Sequence, residues 1–150
     1  MTRAVPVLVT FLGLAACSLL STQTEVTVDD PVITLPAIPG RPGAAYFTLR
    51  TNVDPTRLVS VTSPRIGRIE LHETVTVSGF SRMIPLRNAA FNSDQPMRFE
   101  TGGRHAMLFD LDPALRPGDR VSLTFSFDPA PPVTVEAEVR AAGDVAHGGH

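Results

Sequence analysis

Residues 120–127 read RVSLTFSF, with Val121, Leu123, Phe125 and Phe127 alternating with Ser122, Thr124 and Ser126. Successive side chains of a strand point to opposite faces, so this stretch predicts a half-buried strand with one apolar and one hydroxyl-bearing side. Working outward, comparable runs at 32–35, 44–50, 58–62, 68–74, 83–86, 97–100, 105–111 and 133–139 read as further strands. Fourteen prolines and eleven glycines punctuate them as turn signals. No 3.6-residue periodicity persists beyond the first twenty residues, although 112–115 can form one turn, and no internal repeat is present. Many short strands separated by Pro and Gly turns predict an all-β fold, a Greek-key sandwich or barrel.

Composition narrows the function classes. Thirteen basic residues stand against fifteen acidic ones, with no basic run, which argues against a nucleic-acid partner. Neither a phosphate-binding G-x-x-x-x-G-K-[ST] loop nor a G-x-S-x-G nucleophile elbow occurs, so no enzyme is expected.

The start of the chain carries a second signal. Met1-Thr2-Arg3 gives a minimal positive region, an apolar run extends from Ala4, and Leu14-Ala15-Ala16-Cys17 fits a bacterial lipobox. Cys17 is the single cysteine, placed where lipidation requires it. The apolar run to Leu20 sits at the short limit for a membrane span and contains Pro6, so an uncleaved anchor or an ordinary signal peptide are the alternatives. A lipid on Cys17 would tether the domain to a membrane, facing an oxidising compartment. Ser18 after it, in place of Asp, points to export to the outer membrane. The expected division is a leader at 1–17, a polar spacer at 18–30, a single β-domain at 31–140 and a tail at 141–150.

The chemistry-bearing residues form one pattern. His72, Met83, His105 and Met107 are spaced H-x10-M-x21-H-x-M, and they include both internal histidines and two of the three internal methionines. Two imidazoles and two thioethers, without thiolate or carboxylate, suit Cu(I) better than Zn(II), Mg(II) or Ca(II). The alternative is ordinary packing, because methionine commonly fills cores. His105 and Met107 lie two apart in a predicted strand and so share a face. A hairpin folding at Gly79 would return Met83 towards His72, and Gly102-Gly103 would turn the chain before His105, which would gather the four donors at one end of the domain beside loops. Glu70 and Glu73 flank His72, but hard carboxylates match Cu(I) poorly and read as solvated strand residues. Met97, in the alternating MRFE, reads as core.

With "IELHET" around His72, "GGRHAMLFDL" around His105, and "GAAYFTLRTN", "RLVSVTSP" and "LRPGDRVSLTFSF" elsewhere, the chain resembles the PCuAC-type periplasmic copper chaperones (the DUF461 family) over about residues 44–127. That resemblance implies a cupredoxin-like β-sandwich with His72, Met83, His105 and Met107 as Cu(I) ligands. It also implies a monomeric carrier delivering copper to cytochrome c oxidase assembly, at the CuA site of subunit II, or to another copper chaperone. Periplasmic storage or resistance through the same ligands, with no dedicated acceptor, is the competing expectation. A blue-copper redox role is disfavoured, since such a centre needs a cysteine thiolate and Cys17 belongs to the leader. The tail histidines His147 and His150 offer imidazole ligands for Cu(II), or fold back on the main site, or else lie in a plain flexible end.

Overall fold

The computed structural model describes residues 25–144. The leader with Cys17 and the tail histidines His147 and His150 lie outside these residues. Ten strands follow in chain order: β1 (Val26–Thr34), β2 (Gly43–Thr51), β3 (Thr56–Thr62), β4 (Ile66–Val77), β5 (Phe80–Pro85), β6 (Ala90–Phe91), β7 (Met97–Phe99), β8 (Arg104–Leu111), β9 (Arg120–Asp128) and β10 (Val133–Arg140). They pair in the order β5-β4-β8-β2-β1-β10-β9-β3-β6, with β7 attached to β2. Both ends of that order are free edges, so the all-β sandwich is open, and the barrel alternative does not hold.

The sheet turns back on itself to make two layers. Phe47 of β2 and Phe125 of β9 are three strands apart along the pairing order, yet their rings meet edge-on at 4.8 Å. Phe99 of β7 stacks on Phe47 at 4.3 Å. Such offset and edge contacts are the favoured aromatic geometries, and they place an aromatic cluster between the layers. Strand β9 behaves as its alternation requires: Val121, Leu123 and Phe125 are fully buried, and Phe127 packs at the margin against Phe91 and Phe125. On its other face Thr124 and Thr134 join hydroxyls across β9 and β10 at 2.9 Å. Met97 is buried in the core, as its alternating context predicts.

Three sequence expectations shift. Strand β1 begins at Val26 rather than 32, so residues 26–30, assigned to a polar spacer, are strand, and 26–29 pair with β2. The β1–β2 register slips between Asp29 and Val32, and Asp30 takes φ 50°. That bulge breaks the period-2 pattern on which the boundary was drawn. The second shift is the short β6 (Ala90–Phe91), which is too brief to show a period. The third is β4, which runs to Val77, so His72 lies mid-strand rather than at a strand end. Its hairpin with β5 closes through Ser78 and Gly79, both with positive φ (52° and 80°). That is the two-residue turn whose twist matches paired strands.

Candidate metal centre

Register alone brings the four predicted donors to one face. His72 of β4 lies directly opposite His105 of β8. Thr74, two residues on and therefore on the same side, lies opposite Met83 of β5. Met107 stands two residues beyond His105, opposite Glu70 of β4 and Ala44 of β2. The period-2 rule then puts Glu70, His72, Thr74, Met83, His105 and Met107 on one surface of β5-β4-β8. The intervening residues Leu71, Ala106 and Leu108 belong to the core and its packed margin. The four residues therefore share the outer face of one layer, close to where β8 begins.

Met83, His105 and Met107 line a depression of about 330 Å³ together with Thr34, Pro36 and Tyr46. Its rim comes from the turn after β1, where Leu35 and Pro42 also contribute. Gly43 sits in this wall because nothing larger fits: a Cβ there would lie 2.8 Å from the Thr34 carbonyl oxygen. His72 stands beside the depression, its ring centroid 6.1 Å from that of His105 at an interplanar angle of 42°. The donors differ sharply in exposure. His105 is 8% exposed, whereas Met83, on the edge strand, is 54% exposed.

The hydrogen bonds of the two rings fix which nitrogens are free. His105 Nδ1 lies 3.1 Å from the Gly103 carbonyl, which only accepts, so Nδ1 carries the proton and Nε2 a lone pair. His72 Nε2 lies 3.1 Å from Oε2 of Glu70, so Nε2 carries a proton, and in the neutral ring the lone pair falls on Nδ1. His72 Nδ1 and His105 Nε2 are the two buried side-chain polar atoms left without a partner among the described residues. Buried polar atoms are ordinarily satisfied, since leaving one bare costs roughly 1–3 kcal/mol. The buried pair Thr51 and Thr56 shows the usual solution, with hydroxyls 2.9 Å apart. Two bare imidazole lone pairs on one face, beside two thioethers, suit a soft cation that accepts both donor types. Among the described residues no three His, Cys, Asp or Glu side chains gather as a cation site.

Sequence reasoning set Glu70 aside as a solvated strand residue. It is not merely solvated: its carboxylate binds His72 through one oxygen and Arg68 through the other. The i, i+2 spacing of Glu70 and His72 within a strand was the available signal. Glu73, on the opposite face, pairs in register with Arg104.

Comparison with known proteins agrees with this architecture. The family model LpqE-like, described as "Putative lipoprotein LpqE-like", matches residues 26–139. The chain belongs to that family. It is 37% identical over 91 residues to "Uncharacterized protein RP573" of Rickettsia prowazekii (strain Madrid E), a match covering 57% of this chain and 48% of that one. The chain thus spans about half the length of this curated relative. The copper-bound PCuAC domain from PmoF2 has the same fold, with a TM-score of 0.63 and 20% identity over 77% of this chain and 92% of that domain. The Cu(I) form of DR1885 from Deinococcus radiodurans aligns with a TM-score of 0.52 and 26% identity, covering 84% and 83% of the two chains.

Proposed function

We propose that this LpqE-like protein is an extracytoplasmic carrier of Cu(I), held by His72 Nδ1, His105 Nε2 and the thioether sulfurs of Met83 and Met107. The observation that carries the reading is the pair of buried, partnerless imidazole nitrogens facing the same side as the two methionines. Imidazole and thioether are neutral donors, so the bound ion keeps its single positive charge and the site does not select a divalent cation. A thiol-free set also resists disulfide formation in an oxidising compartment, although methionine remains open to sulfoxide formation. The PmoF2 domain and DR1885, both known in copper-bound forms, support the same reading.

Exposure favours delivery over storage. A sequestering site gains from enclosing its ion, whereas Met83 lies on an edge strand where an incoming acceptor ligand can displace its sulfur. The proposed acceptor is the CuA site of cytochrome c oxidase subunit II or a second copper chaperone. The lipoprotein description of the family supports a lipid on Cys17 as tether to the periplasmic face of a membrane. For the tail, His147 and His150 are proposed as a separate Cu(II) site, which unchanged Cu(II) uptake after removal of 144–150 would rule out.

The test is an anaerobic Cu(I) titration of the full chain against a competing chelator, alongside the Met83→Leu, Met107→Leu double variant. One equivalent bound tightly by the parent and lost in the variant supports the assignment. No uptake by the parent, or equal uptake by both, removes it.

A further inference from the structure

We infer that Glu70 is a positioning residue for His72, fixing which ring nitrogen faces the copper site. The inference rests on the Cu(I) reading above and deepens it.

Three residues of β4 share the outer face: Arg68, Glu70 and His72. Each Glu70 carboxylate oxygen has its own partner, Oε1 with the Arg68 guanidinium and Oε2 with His72 Nε2, the latter at 3.1 Å. Arg68 is itself held, since its guanidinium carbon lies 4.0 Å above the centre of the Phe109 ring. Phe109 pairs directly with Arg68 across β4 and β8, as Met107 pairs with Glu70. A line of contacts thus runs from Phe109 through Arg68 and Glu70 to His72, beside the predicted ligands.

Two consequences follow. The carboxylate accepts from Nε2–H and so turns Nδ1, with its lone pair, towards the donor face. The same acceptor holds the ring against rotation. Carboxylates in this outer position orient a ligating imidazole and raise its basicity. Because both oxygens are engaged and Arg68 balances the charge, Glu70 is also withheld from direct ligation, which preserves preference for a soft monovalent ion. His105 is set by a different device, the Gly103 carbonyl on Nδ1, so the two rings present opposite nitrogens.

The test begins on the copper-free full chain, labelled with ¹⁵N, in mildly alkaline buffer. Long-range proton–nitrogen correlation is expected to show His72 protonated at Nε2 and His105 at Nδ1. The Nε2 proton of His72 should be protected from solvent exchange by the carboxylate. In Glu70→Ala that protection is lost, His105 is unchanged, and Cu(I) affinity falls about 10–100-fold, the usual loss for an outer orienting group. Glu70→Gln, which keeps an acceptor oxygen, restores the protected proton and most of the affinity. A purely structural role would instead lower the melting temperature of Glu70→Ala and leave the His72 proton as in the parent. An unchanged His72 proton, or an unchanged affinity in Glu70→Ala, overturns the inference. Absence of Cu(I) uptake by the parent would defeat the functional reading, and the His72 proton would then alone decide whether Glu70 positions the ring.

Discussion

His72 on β4 and His105 on β8 are a directly opposed antiparallel pair, yet each turns a different ring nitrogen into the unpartnered position, Nδ1 in one and Nε2 in the other. The local acceptors, a carboxylate and a carbonyl, decide the difference. In the absence of a ligand, the protein therefore carries two unmet lone pairs in a region where burial makes them costly.

Replacing His105 separates function from stability. Gly103 keeps a partner when the ring goes, because its carbonyl also accepts from the Thr74 amide at 3.1 Å. His105→Leu is expected to leave the copper-free melting temperature equal or higher, since a buried unsatisfied nitrogen is removed. The parent should gain about 2.7 kcal/mol at a free Cu(I) concentration 100 times its Kd. Thermal unfolding with and without Cu(I) checks both parts, and the variant should show no gain.

Met83→Leu is expected to be silent in stability and severe in binding. The side chain is 54% exposed, so the unfolding free energy should stay within about 0.5 kcal/mol of the parent. Cu(I) affinity should drop by at least the roughly 10–100-fold that loss of an outer orienting group costs. Chelator competition and urea unfolding, run on the same samples, measure the two.

Leu108→Ala should show the reverse behaviour. Leu108 is fully buried directly behind Met107 on β8. A cavity there costs about 2–5 kcal/mol. Denaturant unfolding reads the loss, while the stoichiometry of Cu(I) binding at low temperature stays at one.

Gly43→Ala tests the wall of the depression. Its new Cβ would meet the Thr34 carbonyl oxygen, a backbone atom that cannot swing away, so β1 and β2 must separate. Overpacking of this kind costs roughly 1–3 kcal/mol. The neighbouring Ala44–Met107 pair would move with β2, so weaker Cu(I) binding should accompany the lower melting temperature.

Acid sensitivity is expected at the turn after β8. The Ala114 amide and then Arg65 hold the Asp112 carboxyl below its usual range. A depressed carboxylate pKa contributes stability that is present above the unfolded-state value and is lost as pH falls through the folded-state value. Asp112→Asn should therefore melt below the parent at pH 7, and the gap should close as pH drops below about 3.8. Melting curves from pH 7 to 2 check the sign.

The sequence by itself determined the class of fold and singled out the four candidate donors. Alternation in β9 correctly placed Val121, Leu123 and Phe125 inside, because strand period is local and needs no partner. The same logic put His105 and Met107 on one face, and Gly79 at the hairpin turn. Only the tertiary structure decided that β4 lies between β5 and β8, which aligns Thr74 with Met83 and His72 with His105. Pairing between strands separated by tens of residues depends on turn lengths, bulges and the packing of two layers, none of which has a period to read. The role of Glu70 was hidden for the same reason: a carboxylate two residues from a histidine is common on any strand. Whether the two bond depends on rotamers set by Arg68, itself fixed by Phe109 on a strand some forty residues away.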